Sequence, residues 1–159
     1  MKKFPVKVVL DLPSSYLQTI KHSAGVKLFR NLFAWVDGKH QDILKNGNLS
    51  CAVLVSGILV LYGLVEKTHA TVNGLVADLE RSGWKKIKLP RAGAVLIWDY
   101  LSVASKPHLH TGFYIGNNQA ISNSTAARVP KLHHWTYGTK NGNLGRKVLA
   151  IYWHKKLEK

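Results

Sequence analysis

Acidic residues are scarce in this chain. Only 8 Asp and Glu stand against 23 Lys and Arg in 159 residues, giving a formal net charge of +15. That excess draws a protein toward polyanions such as nucleic acid, anionic lipid or acidic cell-wall polymers, but it says nothing about the fold. Cysteine is scarcer still. A single thiol, Cys51, excludes an internal disulfide and a zinc cage made of cysteines alone, so the redox compartment stays open. None of the eight histidines has a strong zinc spacing with another ligand, and neither a metal nor another cofactor is expected. Long apolar runs are also few. Asp11 and Pro13 arrive before one can form behind the basic start Met1-Lys2-Lys3, so no secretory leader is expected. The protein then stays in the cytoplasm, is exported by another route, or has its leader outside this sequence. The uncharged stretch from Leu49 to Val65 is about the shortest that can span a bilayer. Sheet-like segments that could cover it follow, so a buried helix is expected rather than a transmembrane one. Oligomeric state is not legible.

A charged fraction of 19% with 46% hydrophobic residues argues against disorder and suits one domain over residues 1–159. No repeat or low-complexity run divides it. Lys7 to Leu10 is short and extended, and Leu12-Pro13-Ser14-Ser15 reads as a helix start capped by Ser14 or Ser15. Leu28, Leu32, Trp35 and Val36 keep helical spacing, so the segment from Tyr16 to Trp35 is expected as helix, divided at Gly25. Asp37-Gly38 and Asn46-Gly47-Asn48 are turn signals, and Gln41 to Lys45 between them is ambiguous. After the Cys51 helix, Thr71 caps a helix from Val72 to Arg81 that Ser82-Gly83 ends. The period then changes to two. Strands are expected at Ala94 to Trp98, His110 to Ile115, Ala120 to Asn123 and Arg146 to Trp153. A loop from Leu101 to Pro107, a hairpin turn at Gly116 to Gln119 and a solvated basic tail from Lys155 complete the chain. Helices first and antiparallel strands after them define an α+β fold, with a helical part over about 1–47 and a core over about 48–154.

The chemistry gathers at Asn48-Leu49-Ser50-Cys51-Ala52-Val53. Cys51 is set at the first turn of an apolar helix, where unpaired N–H groups and the helix field favour the thiolate. A lone cysteine in such a setting is also the ordinary pattern of a small buried hydrophobe. A histidine able to serve as its base is needed, and His110 opens the strand His110-Thr111-Gly112-Phe113-Tyr114-Ile115-Gly116, with Gly112 leaving space beside it. His133-His134-Trp135 reads as a surface loop or a substrate wall. His108 either lines a cleft or caps a loop, and Trp98 is either a core residue or a cleft contact.

Three pieces occur in a fixed order: Ser50-Cys51 at the helix head, Pro90-Arg91-Ala92-Gly93-Ala94-Val95-Leu96-Ile97-Trp98, and His110 through Ile121. Over roughly Asn46 to Asn123, about half the chain, this resembles the NlpC-type cysteine peptidases, papain-like bacterial enzymes that cut peptidoglycan stem peptides. The resemblance implies a papain-like fold in which the Cys helix packs on an antiparallel sheet of about four to six strands. It makes Cys51 the nucleophile and His110 the base, with a polar residue on the next strand orienting the imidazole. Ser50, His108 and Trp98 fall where substrate contacts are expected. The chain departs from the family pattern with Ser50 in place of the usual Asp, Gly93-Ala94 in place of Gly-Asp, and no Tyr-x-x-Gly-Gly stretch upstream.

The family's spacing from His110 lands on Ser122. A two-residue turn at Asn117-Asn118 would instead put Asn123 on the His110 face, and Asn123 has the better side chain for the task. Asn123 is therefore the expected third residue. The function expected is amide hydrolysis, most simply of peptidoglycan peptides. An acyltransferase or amidase with the same site, or a basic nucleic-acid-binding protein in which Cys51 and His110 are incidental, are the other readings.

Overall fold

Helix α1 (Leu12–His22) is capped by Asp11, whose carboxylate accepts the Ser14 N–H at 3.1 Å, and not by Ser14 or Ser15 as expected. The computed structural model describes residues 6–99 and 108–158; the expected loop at 101–107 lies outside them. Lys7 to Leu10 is exposed and pairs with no described strand. The helix expected to run on toward Trp35 gives way to a hairpin of β1 (Phe33–Val36) and β2 (Lys39–Asp42). Its turn residues Asp37 (φ 49°) and Gly38 (φ 74°) both take the left-handed backbone that a type I′ hairpin demands. The apparent helical face had nothing to bury against: Leu28 and Trp35 are each 75% exposed.

Helix α2 (Cys51–Leu61) is apolar on all sides and buries eight of its eleven residues. Full burial of Leu54, Val55 and Leu59 contributes roughly 1.5–3 kcal/mol apiece, well above the few tenths that a valine costs in a helix. Among the described residues no helix is long and apolar enough to cross a membrane. Helix α3 (Val72–Arg81) starts where Thr71 Oγ1 accepts the Gly74 N–H, as its sequence dictates. Asp78, fully buried on α3, accepts from the N–H groups of Glu66 and Lys67 and from Ser82 Oγ, and pairs with His69 Nε2 at 2.6 Å. Burial alone would raise its carboxyl, but these bonds hold it at about 2 and pin the α2–α3 connection.

The strands follow as β3 (Lys85–Lys86), β4 (Val95–Trp98), β5 (His110–Gly116), β6 (Gln119–Ser124), β7 (Val129–His134), the short pair β8 (Thr139–Lys140) and β9 (Asn143–Leu144), and β10 (Val148–Trp153). Six of them form one antiparallel sheet in the order β3-β10-β4-β5-β6-β7. The fold is therefore α+β. Alternation sends Val95, Ile97, Phe113 and Ile121 into the core with α2, and Ala94, Leu96, Trp98 and Ala120 into a second cluster. Two expectations fail here. His133 and His134 end strand β7 and are not a loop, because β6 pairs with 129–134 along its whole length. The basic tail is not simply solvated either: Lys155–Leu157 forms a 3-10 turn capped by His154 and buries Leu157.

Candidate active site

Cys51 is the first residue of α2, and the turn before it, Asn46 and Gly47, uses positive φ to swing the chain into the helix. The thiol is 8% exposed. The helix-end field does not prevail as the sequence suggested. Burial raises the thiol above its ordinary value, although the N–H groups of Thr111, Ala52 and Cys51 itself and the charge of Arg146 all pull it down. At rest the side chain is a thiol, so it needs a base.

His110, at the head of β5, is the candidate base and shares a cavity of about 380 Å³ with Cys51. Among the described residues no hydrogen bond joins the sulfur to the imidazole. The nearest partner of the sulfur on β5 is the Thr111 N–H. Burial, aided by the charge of Arg146, depresses His110 to about 3 and keeps its ring neutral. The two groups thus rest as neutral thiol and neutral imidazole. Catalytic bonds of this kind commonly close only in the Michaelis complex.

The side chain that meets the His110 ring is Ser122, and not Asn123 as expected. The turn residues Asn117 (φ 51°) and Asn118 (φ 57°) pair Gly116 with Gln119, as a two-residue turn should. Between Gly116 and Tyr114 the register slips by one, so Gly112 faces Ser122. One bulge exchanges the faces of every later residue. Gly112 is needed for the close approach that follows: a Cβ there would lie 2.6 Å from Ser122 Cβ and 3.0 Å from Trp98 Cζ3. Asn123 lines the same cavity but does not bond His110; it donates from Nδ2 to the Gly47 carbonyl at 2.7 Å and ties β6 to the turn before Cys51.

Ser122 Oγ has three partners: His110 Nε2 at 2.9 Å, His133 Nε2 at 2.8 Å and Tyr137 Oη at 2.8 Å. Their donor and acceptor roles follow from one end. His133 Nδ1 lies 2.8 Å from the His134 carbonyl, which can only accept, so Nδ1 carries the proton. Burial lowers the His133 pKa, so its ring is neutral and its Nε2 accepts the single Ser122 proton. Ser122 must then accept from His110 Nε2–H and from the Tyr137 hydroxyl. The network assigns His110 the tautomer with a bare Nδ1, the lone pair a base requires. Trp98 stacks on the His110 ring at 5.5 Å and 30°, fixing its plane.

The remaining expected contacts divide. His108 lines the cavity, and also a second hollow of about 470 Å³ on the other side of Cys51. Trp98 is fully buried and donates from Nε1 to the Trp135 carbonyl, so it supports the ring and faces no substrate. Ser50 is 1% exposed, its Oγ has no hydrogen-bond partner among the described residues, and it lines neither hollow. Sequence reasoning missed His133 as a partner of Ser122, and it missed Tyr137 and Arg146 altogether. The adjacent histidines at 133–134 were the one available signal.

An α+β chain with a thiol at a helix head, an imidazole of assigned tautomer on a neighbouring strand and a common cavity holds the parts of a Cys–His nucleophile pair. Comparison of this chain with protein-family models and with curated proteins finds no match in either.

Proposed function

We propose that the protein is a cysteine amide hydrolase of the NlpC-like, papain-like kind, acting on peptide bonds such as those of peptidoglycan stem peptides. The observation that carries this reading is the hydrogen-bond chain from His134 through His133 and Ser122 to His110, which leaves one ring nitrogen bare on a histidine that lines the same cavity as Cys51. His110 Nδ1 takes the Sγ proton as sulfur attacks the amide carbonyl. The resulting oxyanion is held by the Cys51 N–H, which has no helical partner at this first position. His110 then gives the proton to the leaving amine, and water releases the acyl group as a carboxylic acid, restoring the thiol. The excess of basic residues suits anionic wall polymers as the surrounding medium.

The test is amine release from purified stem peptides by the wild-type protein, Cys51→Ala and His110→Ala. Hydrolysis by wild type alone is expected. Full activity in Cys51→Ala rules the reading out.

A further inference from the structure

Two hollows flank Cys51, and they differ in charge. The larger, lined by Leu49, Ala70, Thr71, Val72 and Leu109 among others, contains no Lys, Arg, Asp or Glu among its described lining residues. The other, which holds His110 and Ser122, is lined by Arg146 and Lys131 and by no acidic residue among those described. Arg146 is half-buried, with its guanidinium over the Tyr137 ring at 5.4 Å and hydrogen-bonded to the Tyr137 side chain, and its Nε is buried with no hydrogen-bond partner among the described residues. Among the described residues it forms no ion pair. Asp99 is the carboxylate whose field reaches it, and Asp99 does not line the hollow. The position is built by the backbone. Arg146 N–H donates to the Thr136 carbonyl at 2.9 Å and Gly145 N–H to the Gly138 carbonyl at 2.8 Å. Gly145 is required there, because a Cβ would collide with the Tyr137 carbonyl oxygen.

A partly desolvated guanidinium that Tyr137 engages only in part keeps N–H donors unused, and a carboxylate is the anion whose two oxygens match a guanidinium. We propose that this hollow is a subsite for a carboxylate borne by the substrate, with Arg146 its principal contact and Lys131 at the rim. The inference deepens the amide-hydrolase reading and rests on it: the substrate is an amide with a carboxylate on one side of the scissile bond and an uncharged group on the other.

The test uses two alkylating probes that differ in charge. Native Cys51 is treated with iodoacetate and with iodoacetamide, and the rate ratio is compared with that of the denatured chain. Taking the ratio cancels the thiolate fraction, which Arg146 itself influences. The native ratio is expected to exceed the denatured one by about tenfold, in line with local enrichment of a counter-ion in a charged cleft. Arg146→Gln is expected to remove most of that excess. Lys85→Gln, the same charge change on β3 at the far edge of the sheet from β7, is expected to keep it. An excess that survives Arg146→Gln overturns the proposal.

A second measurement needs no reactive thiol. In Cys51→Ala protein, the Arg146 Nε–H resonance is followed by NMR during titration with N-acetylglycine and with N-acetylglycinamide. A saturable shift with the acid alone supports the subsite, and no shift, or the same shift with both, overturns it. Wild-type protein that releases no amine from stem peptides counts against the hydrolase reading, and the titration still decides the subsite.

Discussion

Replacing Ser122 with alanine removes one hydroxyl and strands three partners: His110 Nε2–H, His133 Nε2 and the Tyr137 hydroxyl, all at 2.8–2.9 Å. A buried polar group left unpaired costs about 1–3 kcal/mol. Tyr137 is 37% exposed and can turn to water, so the set is expected to cost roughly 2–4 kcal/mol of stability. The chemical effect is larger than the structural one. Without an acceptor at Nε2 the two His110 tautomers become comparable and the ring loses its orientation, and alkylation of Cys51 by iodoacetamide at pH 7 is expected to slow at least ~10-fold. Asn123→Ala is the matched control. It loses a single bond to the Gly47 carbonyl, costs roughly 1–2 kcal/mol, and is expected to leave the alkylation rate within about threefold. Melting curves give the stabilities, and nitrogen-15 shifts of the His110 ring report the tautomer directly. Equal slowing in both variants, or a wild-type His110 protonated on Nδ1, would refute the assignment of Ser122 as the orienting residue.

Acid should unfold the protein earlier than its carboxylates alone demand. Burial holds His110 at about 3 in the fold against an ordinary 6.5, so between those values the unfolded chain binds more protons and stability falls as pH falls. The His110 contribution is fully present above about pH 6.5 and is lost toward pH 3, at most roughly 5 kcal/mol. His133 and His154, also lowered by burial, act in the same direction. Urea midpoints at pH 7, 5 and 4 test this, with His110→Gln expected to flatten the slope; a wild-type midpoint that does not move over this range contradicts the buried neutral imidazole. Gly112→Ala would force a methyl group within 2.5 Å of the Ile121 carbonyl oxygen and 2.6 Å of Ser122 Cβ, neither of which can swing aside. A loss of roughly 1–3 kcal/mol is expected, together with slower alkylation, and a melting temperature equal to wild type would show that the β5–β6 approach is looser than described.

Where neighbours in sequence decide the outcome, the sequence alone was enough. Thr71 and Ser82-Gly83 bound α3 because a cap and a stop act within one turn of chain. The uncharged stretch after Ser50 makes a buried helix because water is a poor neighbour on every side of it. Asn117-Asn118 makes the β5–β6 turn by its backbone preference. The pairing of a helix-borne Cys51 with a strand-borne His110 was legible for the same reason: each residue sits at the marked start of a local element, and one cavity receives both.

The α+β order was legible too, but the hairpin at 33–42 was not. Its apolar residues keep helical spacing, and only the absence of a core against them tells the two structures apart. The orienting residue depended on a one-residue slip at Ile115, which turns Ser122 inward and sends Asn123 to Gly47. Twist and packing of the whole sheet set such a slip, and no dipeptide encodes it. His133 and Arg146 reach the site through β7 and the segment before β10, far along the chain from Cys51. The sequence by itself determined that a thiol heads α2 and an imidazole heads β5, the two groups of the proposed pair. Only the tertiary structure decided which hydroxyl meets that imidazole, and which cation lines the same cavity, because both depend on contacts between segments far apart in the sequence.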